Sequence, residues 1–347
     1  MFRAGQFTPQ QKLLFHAEKV GKWVRGENVY PILVEFDLSN ACNHRCNFCN
    51  SAETNKGEIL DKNVACRIVD ELSRLGIKAI NWTGGGEPLL NPAFGDIARF
   101  TTLRRVEQGL YTNGSLLTPD LIRVILSTHH WVKVSLDAGT KETYKKIKSA
   151  DYFDIVIANI KQMVRIREDE MNCCDIGIDF VITPDNYKEI PLFSNIVKEI
   201  GVDYGGFRPA TEKALMASEW YKNEVLPLLD EAFKDNGKLV MNTYKVNDIV
   251  DNNLDQPYDT CFGHQFCPCI GAGGEVWICN QLRGHQKYSL GNIYANSFRE
   301  IWNGIKRKKV VSALKVSECP KLCKNNEINK ILALVKKPTR NLHHNFL

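Results

Sequence analysis

The spacing of hydrophobic and polar positions along this 347-residue chain changes period several times. Residues 8–25 (TPQQKLLFHAEKVGKWVR) carry apolar side chains at helical spacing after a Thr-Pro start, which predicts an N-terminal helix. From Pro31 the pattern shortens, and 32–39 (ILVEFDLS) reads as a buried strand leading into a cysteine-rich loop. Residues 61–75 form an amphipathic helical pattern closing near Gly76, and 77–83 (IKAINWT) a strand that runs into GGGEP. The alternation continues: strand 109–113 precedes helix 119–127, and strand 132–137 precedes helix 140–148. Helix 152–169 leads to strand 176–183, and helix 188–200 to strand 202–208. Six strands alternating with helices predict an α/β fold of βαβ units, a parallel sheet closed or partly closed into a (βα)6 barrel. In such sheets chemistry gathers at the carboxyl ends of the strands. The cysteine loop, GGGEP, TNG and SLDAG each fall where a strand ends.

The pattern divides the chain into an N-terminal helical extension (1–30), the barrel (31–212), a polar helical connector (213–257), a small Cys- and Gly-rich domain (258–330) and a tail (331–347). With 44% hydrophobic and 10% aromatic residues the chain can bury a sizeable core, which excludes disorder and coiled coil as its dominant class. A net charge of +5, dispersed along the chain, and no interleaving of aromatic with basic residues argue against nucleic acid as partner. No apolar run approaches the roughly 20 residues that span a bilayer, and residues 1–20 lack a signal-peptide core. The expectation is a soluble, cytoplasmic protein with no membrane partner.

Twelve cysteines in such a chain need an explanation, because a reducing compartment disfavours disulfides. Nine of them cluster: Cys42, Cys46 and Cys49; then Cys261, Cys267, Cys269 and Cys279; then Cys319 and Cys323. Such spacing reads first as metal binding. Cys66, Cys173 and Cys174 lie outside the groups and read as packed thiols. In CNHRCNFC (42–49) three soft ligands suit zinc or an iron–sulfur cluster, and His44 is the one local candidate for a fourth ligand, awkwardly placed. Three thiolates alone leave one iron of a cubane open, as catalytic metal sites do.

CxxxCxxC after the first strand, with Phe48 just before its third cysteine, resembles the radical S-adenosylmethionine (SAM) superfamily. GGGEP (84–88), YTNGSLLT (111–118) and SLDAGTKETYKKIK (135–148) match further elements of that family, in order and at strand ends. The resemblance implies that Cys42, Cys46 and Cys49 hold a [4Fe–4S] cluster whose open iron binds SAM. Reductive cleavage of SAM would then give a 5′-deoxyadenosyl radical that abstracts a substrate hydrogen atom. Gly85, Gly86 and Glu87 would meet the methionine ammonium, and Asn113 and Ser135 the ribose or carboxylate, although Asn-Gly also favours a turn by itself. Arg208, at the end of the sixth strand, would pair with a carboxylate of SAM or substrate, or form a structural ion pair.

Cys261, twelve residues, Gly274, four residues and Cys279 resemble the opening of the SPASM and twitch auxiliary-cluster domains, and 290–304 resembles the segment that follows. Gly273–Gly274 predicts a hairpin turn. The resemblance implies Cys261, Cys279, Cys319 and Cys323 as ligands of one auxiliary [4Fe–4S] cluster, with a zinc site as the plainer alternative. Cys267 and Cys269 are surplus, two residues apart on a strand, and are candidate hydrogen-atom donors or buried thiols. The basic run 306–309 (KRKK) is a solvated helix face or a docking patch for an acidic flavodoxin or ferredoxin. The implied activity is oxidation or epimerisation of a small sugar, aminocyclitol or nucleoside; the alternatives are peptide modification and, from another class, a non-catalytic iron–sulfur or zinc protein.

Overall fold

The computed structural model describes residues 9–54, 57–210, 218–241, 243–254 and 256–338. Parts of the extension, connector and tail named above fall outside that range. The N-terminal pattern is helical from Pro9, with a 3-10 turn at Leu13–His16 joining Pro9–Lys12 to Ala17–Val24. Six parallel strands follow: β1 (Leu33–Asp37), β2 (Ala79–Thr83), β3 (Glu107–Thr112), β4 (Trp131–Ser135), β5 (Asp175–Ile182) and β6 (Tyr204–Pro209). They are paired consecutively in register, β1 to β6. Asp61 opens helix Lys62–Arg74 by accepting from the amides of Asn63 and Val64, and Thr118 and Thr140 cap their helices in the same way. Helix Phe94–Leu103, between β2 and β3, has no counterpart in the sequence reading.

The sheet does not stop at six strands. Within 213–257, read as a helical connector, β7 (Leu239–Met241) pairs parallel to β6. At the other edge β8 (Cys269–Ile270) and β9 (Glu275–Trp277) form the foreseen hairpin, turned at Gly274 (φ +88°). β8 docks parallel to β1, with Glu35 opposite Cys269 and Phe36 opposite Ile270, and β10 (Ser289–Asn292) closes the edge. The sheet order is therefore β10-β9-β8-β1-β2-β3-β4-β5-β6-β7. The small domain is thus continuous with the barrel wall. The assignment of the tail from 331 is also displaced, because helix Asn326–Lys336 crosses that boundary and packs Leu332 beside Trp23. Cys173 is exposed rather than packed, whereas Cys174 is buried. No helix among the described residues is long and apolar enough to cross a membrane.

Alternation along the strands sorts their side chains. Val34, Phe36, Ile80, Trp82, Leu110, Val132, Val134, Ile178 and Phe180 are fully buried in the core that the helices cover. The opposite face carries Glu35, Asp37, Thr83, Tyr111, Lys133, Ser135, Asp179 and Arg208, the lining of a polar lumen.

Candidate active site between two sets of thiols

The loop after β1 brings Cys42, Cys46 and Cys49 within electrostatic reach of one another. It is seated on the end of helix Lys141–Lys148, where Arg45 N–H donates to Lys148 O at 2.9 Å and Asn47 N–H to Ile147 O at 2.9 Å. His44 is not turned to the thiols. Its ring is buried, with Nε2 at 2.7 Å from Tyr144 Oη and Nδ1 at 3.0 Å from Asn43 Oδ1, and it anchors the loop. Burial lowers its pKa to about 4, so the ring is neutral near pH 7. Beneath the loop, Lys148 and Asp137 form a buried ion pair at 2.8 Å, and the Lys148 ammonium also donates to Ser135 O.

The strand-end residues foreseen as SAM contacts converge on this loop. The Glu87 carboxylate is buried and accepts from Thr112 Oγ1 (2.7 Å), Asn113 N (2.7 Å) and Leu89 N (3.2 Å). Burial raises its pKa, and those hydrogen bonds oppose the rise. Asn113 Nδ2 donates to Asn43 Oδ1 at 2.7 Å while its Oδ1 caps Ser115, so it makes the turn and ties β3 to the loop. Ser135 Oγ donates to Asp137, and Phe48 packs against the main core. A Cβ on Gly85 would lie 1.9 Å from Asn40 Oδ1, and one on Gly86 2.0 Å from Ala41 O. The glycines thus let the GGGEP turn slide under the cysteine loop. Asn40 Oδ1 is left buried with no partner beside Gly85, an acceptor free for a bound cationic group. This arrangement fits SAM and its cluster: three thiols within reach, a narrow glycine floor and an orphaned acceptor.

The second set also assembles. Charges on Cys261, Cys319 and Cys323 act on one another, and Cys279 lies within reach of Cys261 and Cys323. Amide donors point at the sulfurs: Asn329 Nδ2 to Cys261 Sγ and Asn325 N to Cys323 Sγ, each at 3.4 Å. Backbone N–H groups of Gly263 and His264 serve Cys261, and those of Gln281 and Leu282 serve Cys279. Such N–H···S bonds stabilise thiolates and are a means of tuning cluster potential. Four thiols gathered in this way are a donor set that suits an iron–sulfur cluster.

Between the two sets lies the lumen. Asp37 accepts from Thr83 Oγ1 (2.9 Å) and Arg283 (2.6 Å), with Cys269 Sγ at 4.0 Å. Lys324 pairs with Glu35 and donates to Cys267 Sγ at 3.5 Å. Lys133 stands 3.6 Å from Asp179 and over the rings of Tyr111 and Tyr204. Cys267 precedes β8 rather than lying in it, yet both surplus thiols turn to the Glu35–Asp37 side and are buried. Burial raises the Cys267 thiol to about 11 and Cys269 well above the usual range, so both stay protonated. Sequence reasoning missed Glu35, Asp37, Lys148, Arg283 and Lys324. The signal available was two carboxylates at alternate positions of an otherwise apolar strand.

The radical SAM superfamily profile matches residues 37–178, and that of an iron–sulfur cluster-binding domain matches residues 261–325. The chain belongs to the radical SAM superfamily. Its cofactors are SAM and two [4Fe–4S] clusters. The tungsten-containing aldehyde ferredoxin oxidoreductase cofactor-modifying protein of Pyrococcus furiosus is 24% identical over 284 residues, 77% of this chain and 79% of its own length. The mycofactocin maturase MftC of Mycobacterium tuberculosis is 28% identical over 175 residues. That stretch is 49% of this chain and only 43% of the maturase. Among solved structures, Streptococcus suis SuiB bound to its precursor peptide superposes with a TM-score of 0.67 at 13% identity, over 94% of this chain and 78% of that one. At that identity the likeness shows the fold of the radical SAM barrel with its C-terminal domain.

A groove of about 590 Å³ lies elsewhere, lined by Trp23, Trp302, Arg307 and Lys336 among others, and touches no thiol. Arg307, from the KRKK run, is buried there at 3.9 Å over the Trp302 ring, so that run is not wholly solvated.

Proposed function

We propose that this radical SAM enzyme modifies a peptide or a peptide-derived cofactor precursor, held in the lumen between its two clusters. The named relatives support this reading over the small-sugar expectation: one is a cofactor-modifying protein matched along 79% of its length, another a maturase. The observation that carries the lumen as substrate chamber is a set of orphaned polar atoms in its wall: Glu35 Oε2, Arg208 Nε and Arg283 Nε are buried without hydrogen-bond partners.

When bound, SAM and its cluster supply a 5′-deoxyadenosyl radical that removes a hydrogen atom from substrate. The chain's own residues orient and shield. Asn43, Asn113 and Glu87 tie the strand ends to the cysteine loop, and Asn40 Oδ1 offers an acceptor beside Gly85. Cys261, Cys279, Cys319 and Cys323 would hold the auxiliary cluster, which would supply the acceptor that net oxidation of the substrate requires; a flavodoxin or ferredoxin-type protein would supply reducing electrons. A second reading, epimerisation or oxidation of a small polar molecule, is favoured by the charged character of the lumen. Under epimerisation Cys267 or Cys269 gives a hydrogen atom to the opposite face and is left as a thiyl radical, which one electron from the flavodoxin or ferredoxin-type donor and one proton from solvent return to the thiol; deuterium from solvent enters product only while that thiol is present.

The two substrate readings separate on one assay. Cell extract is fractionated by size and scored for stimulation of 5′-deoxyadenosine formation by the reduced enzyme. The peptide reading predicts that protease destroys the stimulating fraction; full survival of the stimulation favours the small molecule.

A further inference from the structure

The lumen holds more positive than negative charge. Five cations, Lys133, Arg208, Lys245, Arg283 and Lys324, face three carboxylates, Glu35, Asp37 and Asp179. Arg283 has Asp37 and Lys324 has Glu35, whereas Lys133 at 3.6 Å and Arg208 at 3.9 Å share the single carboxylate of Asp179. Arg208 Nε makes no hydrogen bond. Its side chain is 41% accessible, so solvent reaches the lumen at this point. Lys245, on helix Thr243–Val250, is 9% exposed and has no hydrogen-bond or ion-pair partner among the described residues. It lies within electrostatic reach of Arg208, Lys324 and Cys323.

Burying the Lys245 ammonium without a carboxylate beside it is costly, and the Arg208 guanidinium within electrostatic reach adds to that cost. The arrangement makes sense when an anion completes it.

We propose that Arg208 and Lys245 form a subsite for an anionic oxygen group of the substrate, a phosphate or a carboxylate, on the side of the lumen next to Cys323. The inference rests on the reading of the lumen as substrate chamber and narrows it. Arg208 offers a planar fork matched to such oxygens, and Lys245 a point charge beside it. An anion held here spans the gap between the barrel wall at β6 and the auxiliary thiols. It also explains how a substrate is fixed at one end while a carbon atom is presented to the SAM side. In a peptide the group is an acidic side chain or C-terminus; in a small molecule it is a phosphate ester.

The test uses the full chain, reconstituted anaerobically with iron and sulfide, and titrates two probes, pyrophosphate and succinate, by calorimetry with and without SAM. The native protein is expected to bind at least one of them, with SAM present. Preference for pyrophosphate assigns a phosphate and preference for succinate a carboxylate. Lys245→Met and Arg208→Met are each expected to weaken binding by about tenfold or more, the effect of removing one member of a buried charge contact. Lys245→Arg is expected to restore it, and Lys309→Met, on the exposed face, to leave it unchanged. Iron content and 5′-deoxyadenosine formation on the same native preparation report separately on the radical SAM reading. Failure of both probes to bind native protein overturns the subsite, as does equal affinity in the Met variants. Complete displacement of the probe by SAM does so too, since it gives Arg208 to SAM. So does a shifted midpoint potential of the auxiliary cluster in Lys245→Met with unchanged probe affinity, which gives the lysine to the cluster.

Discussion

Gly85 and Gly86 are adjacent, yet the cost of filling them differs. An alanine Cβ at 86 meets the Ala41 carbonyl at 2.0 Å, and backbone cannot turn away. At 85 it meets the end of the Asn40 side chain at 1.9 Å, which can rotate. Gly86→Ala is therefore expected to destabilise by about 1–3 kcal/mol or more and Gly85→Ala by less, read as denaturation midpoints. The reverse order would contradict the proposed seating of the turn. His129 gives a pH prediction. It is buried, stacked on Phe94, with Nε2 unpartnered, and burial lowers its pKa from 6.5 to about 3. Unfolded chains bind a proton here below pH 6.5 that folded chains refuse, so stability falls as pH drops through that window. From pH 7.5 to 5.5 the loss from this one ring is about 1.4 kcal/mol, and His129→Phe should remove it. Equal pH dependence in both proteins would show the ring to be solvated.

At the scale of elements, the six barrel strands were legible because buried parallel strands read as apolar runs between helical patterns. β7 was not, since a run of three residues carries no period, whereas the β8–β9 hairpin was marked by Gly273–Gly274. Helix Phe94–Leu103 escaped because Gly95 and the Thr101–Thr102 pair weaken its pattern. The thiol groups were legible from spacing, but the pairing of β8 with β1, which connects the small domain to the barrel, is long-range and left no local mark. Likewise the sequence marked Glu87 and Asn113 as site residues, while their hydrogen bonds to the chain itself emerge only from the fold. Helix Asn326–Lys336 supplies Asn329, whose Oδ1 accepts from the amides of Phe262 (2.7 Å) and Gly263 (2.6 Å) while its Nδ2 donates to Cys261 Sγ. Asn329→Ala should release that segment and lower bound iron from about eight toward about four per chain. Iron staying near eight would mean that the helix does not hold the auxiliary thiols.

Across the whole molecule, one ten-stranded sheet connects the strand that leads into the cysteine loop with the hairpin of the second thiol set, and β8 beside β1 joins them. Radical formation is proposed to rest on Cys42, Cys46 and Cys49 alone. The most direct measurement compares two cysteine variants, purified anaerobically and reduced with dithionite, for iron and for 5′-deoxyadenosine. Replacing Cys42, Cys46 and Cys49 together by Ala should leave about four irons and abolish 5′-deoxyadenosine. Replacing Cys319 and Cys323 by Ala should also leave about four irons yet retain some cleavage of SAM. Formation of 5′-deoxyadenosine by the triple variant would contradict the account.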